Sequence, residues 1–119
     1  MPHQQIKATY GLTATEAIGR IRSGNLKPSE LVAACLERIR DTDDRVQAWV
    51  HLDPEKALEH ARTIDYRISC GLPPGELCGV PVGIKDIFNT SDMPTRMGRV
   101  WQLAARNRLC PRYTKIEAR

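Results

Sequence analysis

Apolar residues recur at helical spacing in three stretches of the chain before Gly71. This spacing, with polar residues on the opposite side, predicts amphipathic helices. Each stretch opens with residues typical of a helix N-terminus: Thr13 with Glu16 as a capping box, Pro28 in a first turn, and Asp53 with Pro54. The predicted ends are Ser23-Gly24-Asn25 for the first helix, the run from Asp41 to Asp44 for the second, and Gly71 for the third.

Between the second and third predicted helices, apolar and polar residues alternate from Val46 to Leu52. A period of two predicts a half-buried strand. Trp49 lies on the more polar side of that strand. We interpret it as a residue packed beneath another element, in preference to a wall of a substrate site, because a lone Trp carries no positional signal for a ligand.

A second strand is predicted at residues 80–84, which carry no polar side chain and follow a glycine. Lys85 and Asp86 stand at its exit. An ammonium at the end of a buried strand must be paired, reach water or lose its proton, because desolvation lowers the pKa of a lysine. A neutral lysine is a base, so Lys85 is the best catalytic candidate, with Asp86 as the neighbour that orients it. An ordinary surface pair is the alternative that these residues leave open.

The residues after Asp86 read as one loop. Asn89, Thr90 and Thr95 are expected to hold the strand exit through local hydrogen bonds, and Met93, Met97 and Gly98 to pack the loop. The element order is helix, helix, strand, helix, loop, strand, which suits an α/β or α+β arrangement of layers.

Composition narrows the class of protein. A chain of 119 residues is enough for one domain, and with 41% hydrophobic but only 5% aromatic residues its core should be mostly aliphatic. The longest apolar run is far shorter than the roughly 18 residues that span a bilayer, so we expect no membrane contact. The N-terminus lacks the pattern of a secretory signal, and a cytoplasmic location is therefore expected.

The four cysteines form no C-x-x-C pair, and none has a histidine at metal-ligand spacing. We expect free thiols and no metal site, and a disulfide between Cys70 and Cys78, which flank one turn, is the less favoured alternative. His51 and His60 are likewise isolated from any set of ligands. The cysteines are Cys35, which falls on the apolar side of the second helix, Cys70, Cys78 and Cys110.

Charge changes sharply at Gly98. Up to that residue there are twelve Lys and Arg against thirteen Asp and Glu, and after it six against one. We therefore divide the chain into residues 1–98 and a basic tail, residues 99–119, which is divergent, truncated or frame-shifted. A tail that binds nucleic acid, with Trp101 and Tyr113 as stacking groups, is the less favoured alternative, because no groove-fitting motif accompanies the charge.

The segment around Lys85 resembles the lysine-bearing motif of the amidase signature family, and the upstream helices resemble the family's N-terminal part. The resemblance covers roughly residues 8–98. The matching residues are Leu77, Gly79, Pro81, Val82, Lys85, Asp86, Pro94, Thr95, Met97 and Gly98.

This resemblance implies an α/β fold, the N-terminal part of an amidase-signature-type fold whose helices pack on a mixed central sheet that is mostly absent here. It also implies hydrolysis of a small-molecule carboxamide without metal or organic cofactor, by two serines and a lysine base, which is Lys85. The family's serines belong to a Gly-Ser-rich stretch, and no serine here has that context. We therefore name no nucleophile and expect the chain alone to be inactive.

Two further interpretations concern partners. The chain is expected either to dock a complementing chain of the same enzyme through its amphipathic helices or to self-associate, because apolar stripes meant for a larger sheet would be exposed. The residues leave open whether the parent is a free-standing amidase or an amidotransferase subunit.

Overall fold

The computed structural model describes residues 9–95 and the backbone of residues 115–118. Residues 9–10 are helical, and three α-helices follow them: α1 (Ala14–Arg22), α2 (Pro28–Val46) and α3 (Pro54–Ser69). Strand β1 (Val82–Lys85) pairs in parallel with β2 (Lys115–Ala118), with Val82 opposite Lys115 and Lys85 opposite Ala118. β2 lies in the basic tail, where the sequence shows no sustained periodicity. The predicted boundary at Gly98 and the residues Met97, Trp101, Cys110 and Tyr113 lie outside the described residues.

Local signals determine helix α1 at both ends, as predicted. The Thr13 backbone N–H donates to Glu16 Oε2 at 2.8 Å, and the Glu16 N–H donates to Thr13 Oγ1 at 3.3 Å. Gly24 takes the left-handed conformation with φ of 76°. The N–H groups of Gly24 and Asn25 then bond back to the carbonyls of Ile21 and Arg20, which satisfies the last turn.

Helix α2 begins at Pro28 as predicted but ends later than the acidic run suggested. The run Asp41 to Asp44 lies within the helix, which continues to Val46. Asp43 explains the difference: its carbonyl accepts from the N–H of Gln47 and its Oδ1 from the N–H of Ala48, each at 2.7 Å. Gln47 itself is left-handed, with φ of 51°, and ends the helix.

The strand predicted from Val46 to Leu52 is wrong. Val46 belongs to α2, residues 47–49 have no regular structure, and His51 forms a single β-bridge. The alternation does not correspond to two faces of a strand, because Trp49 and Leu52, which belong to opposite sides of the pattern, both pack against the core between α2 and α3, while Val46 is exposed. The interpretation of Trp49 as a packing residue is thereby confirmed.

Helix α3 begins after Asp53, whose Oδ1 accepts from the Lys56 N–H at 3.0 Å, as predicted. It ends at Ser69, and Gly71, two residues beyond, is left-handed with φ of 80°. A carboxylate of α3 also reaches α2: Asp65 Oδ1 accepts from the Ser29 N–H at 3.2 Å, at the helix end where backbone donors lack partners. This bond joins two helices through residues 36 apart in sequence.

The core is aliphatic, as composition predicts, and α2 runs through both of its parts. Full burial of a side chain such as Val32 contributes about 1.5–3 kcal/mol. One cluster joins α2 to α3 through Val32, Leu36, Ile39, Ala57 and Ala61. The other joins α2 to α1 through Ala17, Ile21, Leu26 and Leu31, with Cys35 and Ile68 packed against it. No helix in the described part is long and apolar enough to cross a membrane.

The candidate catalytic lysine and its exit turn

Lys85 is the last residue of β1, and its side chain is exposed. The expectation of a largely buried strand is wrong for this chain, since Val82 is 38% exposed and Gly83 is also exposed. The exposure follows from the small size of the sheet. Among the described residues β1 pairs with β2 alone, and two parallel strands do not cover their own faces. Lys85 therefore reaches water here, and the desolvation on which the sequence argument relied requires a further covering layer.

Gly79 seats the segment before β1 on the helices. It is buried, and its φ is 88°. A Cβ at this position would stand 2.6 Å from Pro28 Cγ and 3.3 Å from Ile21 Cδ1, so the backbone passes directly against the start of α2 and the face of α1. Only a residue without a side chain fits this approach. The contact ties the position of Lys85 to the helical core.

The backbone turns sharply after Lys85. Its carbonyl accepts hydrogen bonds from the N–H groups of Ile87 at 2.8 Å and Phe88 at 3.1 Å. The Phe88 carbonyl in turn accepts from Thr95 Oγ1 at 2.8 Å. These bonds hold the strand exit in one conformation.

Buried threonines secure the rest of the loop. Thr90 and Thr95 are 4% and 5% exposed, and Thr90 Oγ1 donates to the carbonyl of Met93 at 3.3 Å. Met93 is itself buried. The predicted local hydrogen bonds of Thr90 and Thr95 and the packing of Met93 are confirmed, while Asn89 is half-buried.

Asp86 lies in a different environment from its neighbour. It is only 5% exposed, whereas Lys85 faces solvent. The orienting role of Asp86 and the catalytic role of Lys85 stay predictions.

Two serine hydroxyls are engaged at helix ends. Ser23 Oγ donates to the carbonyl of Arg20 at 3.0 Å, and Ser69 Oγ to that of Tyr66 at 2.7 Å. Ser29 stands in the first turn of α2, and Ser91 is exposed in the loop. These positions give Ser23 and Ser69 capping roles.

Metal-ligating residues do not gather in the described part of the chain, where no three His, Cys, Asp or Glu side chains meet. Cys35, Cys70 and Cys78 are free thiols there. Burial raises the pKa of the Cys35 thiol, which fits a packing role.

Sequence reasoning missed the two residues that follow Asp86. Ile87 and Phe88 are 50% and 58% exposed, although both are large and apolar. Because bulky apolar residues are ordinarily buried, the sequence carried no signal for this exposure.

Comparison with known proteins shows the family to which the segment around Lys85 belongs. The model of the family described as Amidase matches residues 30–107, more than half of the chain and all of β1 with its exit turn. This chain belongs to the Amidase family. It is 44% identical over 87 residues to the glutamyl-tRNA(Gln) amidotransferase A subunit of Salinispora arenicola, and 44% identical over 84 residues to that of Thermobifida fusca.

Solved structures of the Amidase family agree. The native peptide amidase of Stenotrophomonas maltophilia is 31% identical, with a TM-score of 0.68 over 74% of this chain. A bacterial aryl acylamidase of the amidase signature family is 30% identical, with a TM-score of 0.63 over 66% of this chain. The predicted α/β amidase-signature fold is confirmed.

The match covers only a part of each relative. The alignments span 73% and 71% of this chain but 18% and 17% of the two amidotransferase subunits. In the two solved amidases the corresponding share is 18% and 16%. The chain thus spans less than a fifth of the length of these Amidase-family proteins.

Proposed function

We propose that this chain carries the general base of an amidase that hydrolyses the C–N bond of carboxamides, with Lys85 as that base. The observation that carries the proposal is the place of Lys85: it ends β1 inside the segment that matches the Amidase family, and a hydrogen-bonded turn follows it at once. Asp86 is proposed to hold the lysine in position from its buried site. The surrounding helices serve as the support that fixes both.

The proposed reaction uses two serines and no metal or organic cofactor. Neutral Lys85 takes a proton from a bridging serine hydroxyl, which takes the proton of the nucleophilic serine. The serine oxygen then bonds to the carbonyl carbon, the C–N bond breaks, and the proton returns through the bridge to the departing amine. Water hydrolyses the resulting ester by the reverse proton path.

Both serines are assigned to a Gly-Ser-rich stretch, and the 119 residues contain none. Backbone N–H groups that stabilise the oxyanion belong to the same stretch in this proposal. Loss of several members of such a unit removes nearly all of the rate enhancement. We therefore propose that the chain is inactive until the rest of an amidase domain joins it.

The substrate class follows from the relatives only as far as the amide group. The names of the curated relatives and solved structures, an amidotransferase subunit, a peptide amidase and an aryl acylamidase, share that group. We propose a carboxamide substrate, either in a free-standing amidase or in an amidotransferase subunit.

The first experiment measures the chain by itself. The purified 119-residue protein is incubated with an aryl amide and with a peptide amide, and the release of amine or ammonia is followed. We expect no release above that of a Lys85→Ala variant. Turnover by the wild-type chain that disappears in Lys85→Ala would contradict the inactivity and would locate a nucleophile within these residues.

The second experiment tests the base. In an active enzyme assembled from this chain and the remaining part of an amidase domain, Lys85→Arg keeps the positive charge but cannot supply a neutral base. We expect kcat to fall at least about 100-fold with KM little changed. Lys56→Arg, at an exposed lysine of α3, is the matched control and should retain full kcat. An active Lys85→Arg enzyme would rule out Lys85 as the base.

A further inference from the structure

One buried hydroxyl holds the turn at residues 85–88, the exit turn, from the far end of the loop. Thr95 Oγ1 donates to the Phe88 carbonyl at 2.8 Å, and the Phe88 N–H donates to the Lys85 carbonyl at 3.1 Å. Thr95 is 5% exposed, so a bond lost at its hydroxyl is not readily replaced by one to water. Two consecutive hydrogen bonds therefore connect the Thr95 side chain to the backbone of the candidate base.

Backbone bonds, more than side-chain packing, define the exit turn within the described residues. Ile87 and Phe88 are 50% and 58% exposed, and their N–H groups both donate to the Lys85 carbonyl. Thr95 lies seven residues after Phe88, and its bond closes the loop onto the turn. The orientation of the Phe88 peptide is thus set in part by a side chain that lies outside the turn.

A second buried threonine in the same loop makes a bond of the same kind in another place. Thr90 is 4% exposed, and its Oγ1 donates to the Met93 carbonyl at 3.3 Å. That bond joins residues within the loop and does not involve the exit turn. Thr90 therefore offers a matched comparison for Thr95, with similar burial and the same chemistry.

We propose that Thr95 is a positioning residue for Lys85. This inference rests on the proposed function and adds a residue to the same site. A lysine ammonium lies at the end of a flexible four-carbon stem, so the direction in which it leaves the strand is set first by its backbone. The Thr95 hydroxyl fixes the Phe88 peptide, and the Phe88 N–H fixes the Lys85 carbonyl. The Lys85 side chain is thereby directed toward the bridging serine, where a misplacement of about 1 Å can cost about 100-fold in rate.

The first measurement needs no enzymatic activity. Amide hydrogen exchange of the 119-residue chain, followed by NMR, reports how often the Phe88 N–H leaves the Lys85 carbonyl. Thr95→Val has the shape of threonine without the hydroxyl donor, and we expect it to speed exchange at Phe88 at least about tenfold. Thr95→Ser keeps the donor, and Thr90→Val leaves the turn untouched. Both should exchange within about twofold of the wild type.

The second measurement separates positioning from folding. The same variants are made in the active enzyme in which Lys85→Arg is tested, and kcat is expressed per active site by titration. We expect Thr95→Val to lower kcat about tenfold with KM within about twofold, because the base is displaced while substrate binding is retained. Thr95→Ser and Thr90→Val should keep kcat within about twofold. A merely structural loss would reduce the number of active sites and leave kcat per site unchanged.

Three results would overturn the inference: equal exchange at Phe88 in the wild type and Thr95→Val, equal exchange in Thr95→Val and Thr90→Val, or an unchanged kcat in Thr95→Val. Each leaves the proposed function standing, because the base is tested by Lys85→Arg. A Lys85→Arg enzyme with full kcat would refute the proposed function whatever the threonine variants show.

Discussion

Replacement of Gly79 by Ala tests how firmly the lysine-bearing segment is seated on the helices. Two costs combine at this residue. An L-residue at φ of 88° is strained by about 1–2 kcal/mol. The new Cβ would also stand 2.6 Å from Pro28 Cγ, and Pro28 is a fully buried ring in the first turn of α2 that cannot swing aside. Overpacking of this kind costs about 1–3 kcal/mol, so the total is about 2–5 kcal/mol.

Other glycines of the chain separate these two costs. Gly24 has a similar φ of 76°, but a Cβ added there would have nothing within 4 Å, so Gly24→Ala should show the strain alone. Gly19 lies inside α1 with open space around it. Gly19→Ala should stabilise the chain by about 0.5–1 kcal/mol, because alanine favours a helix interior.

Thermal unfolding followed by far-UV circular dichroism, which reports secondary structure, measures all three variants. Each kcal/mol corresponds to about 4–8 °C in a domain of this size. We expect Gly79→Ala to melt at least about 4 °C below Gly24→Ala, and Gly19→Ala to melt above the wild type. If Gly79→Ala and Gly24→Ala melt together, the segment before β1 does not rest on Pro28, and the link between Lys85 and the helical core fails.

Two further predictions concern the helix ends. Asp65→Ala removes the acceptor of the Ser29 N–H and should lower the free energy of unfolding in urea by about 0.5–2 kcal/mol. The control is Asp41→Ala, at an exposed carboxylate 3.9 Å from Arg40, which should change the free energy of unfolding by less than about 0.5 kcal/mol. Equal effects of the two substitutions would contradict the cap that Asp65 provides. The Thr13 backbone N–H, and then the Thr13 hydroxyl, lower the pKa of Glu16 below its ordinary 4.5. Since the pKa is lower in the folded state, the stabilisation is present above pH 4.5 and is lost as the pH falls through the folded value. A carbon-13 NMR titration should show this shift, and Thr13→Val, which keeps the backbone donor, should restore part of it; a wild-type pKa at or above 4.5 would refute the capping box.

The starts of the helices could be predicted from the sequence because their causes are local. Thr13 with Glu16 and Asp53 with Lys56 satisfy backbone donors within three residues, so the pattern contains the whole interaction. Gly24 and Gly71 stop α1 and α3 for an equally local reason, their left-handed conformation. The identity of Lys85 as the candidate base was also accessible, because it follows from the residue type and the motif around it.

The end of α2 and the segment after it could not be predicted, because tertiary packing decides both. Asp43 caps the helix from inside, and Trp49 turns inward to meet the core between α2 and α3. Alternation alone does not distinguish such a crossing segment from a strand. The cap that Asp65 provides for α2 was equally inaccessible, since the two residues it joins are 36 apart in sequence.

The sequence by itself determined where the three helices begin, which residue is the candidate base, and the family that the motif resembles. The tertiary structure decided how exposed that base is. An apolar run predicts a buried strand, but burial depends on what lies over the strand, and three of the four residues of β1 are exposed. Helix caps depend on residues that are neighbours in sequence, whereas the solvation of Lys85 depends on what packs over it in the tertiary structure.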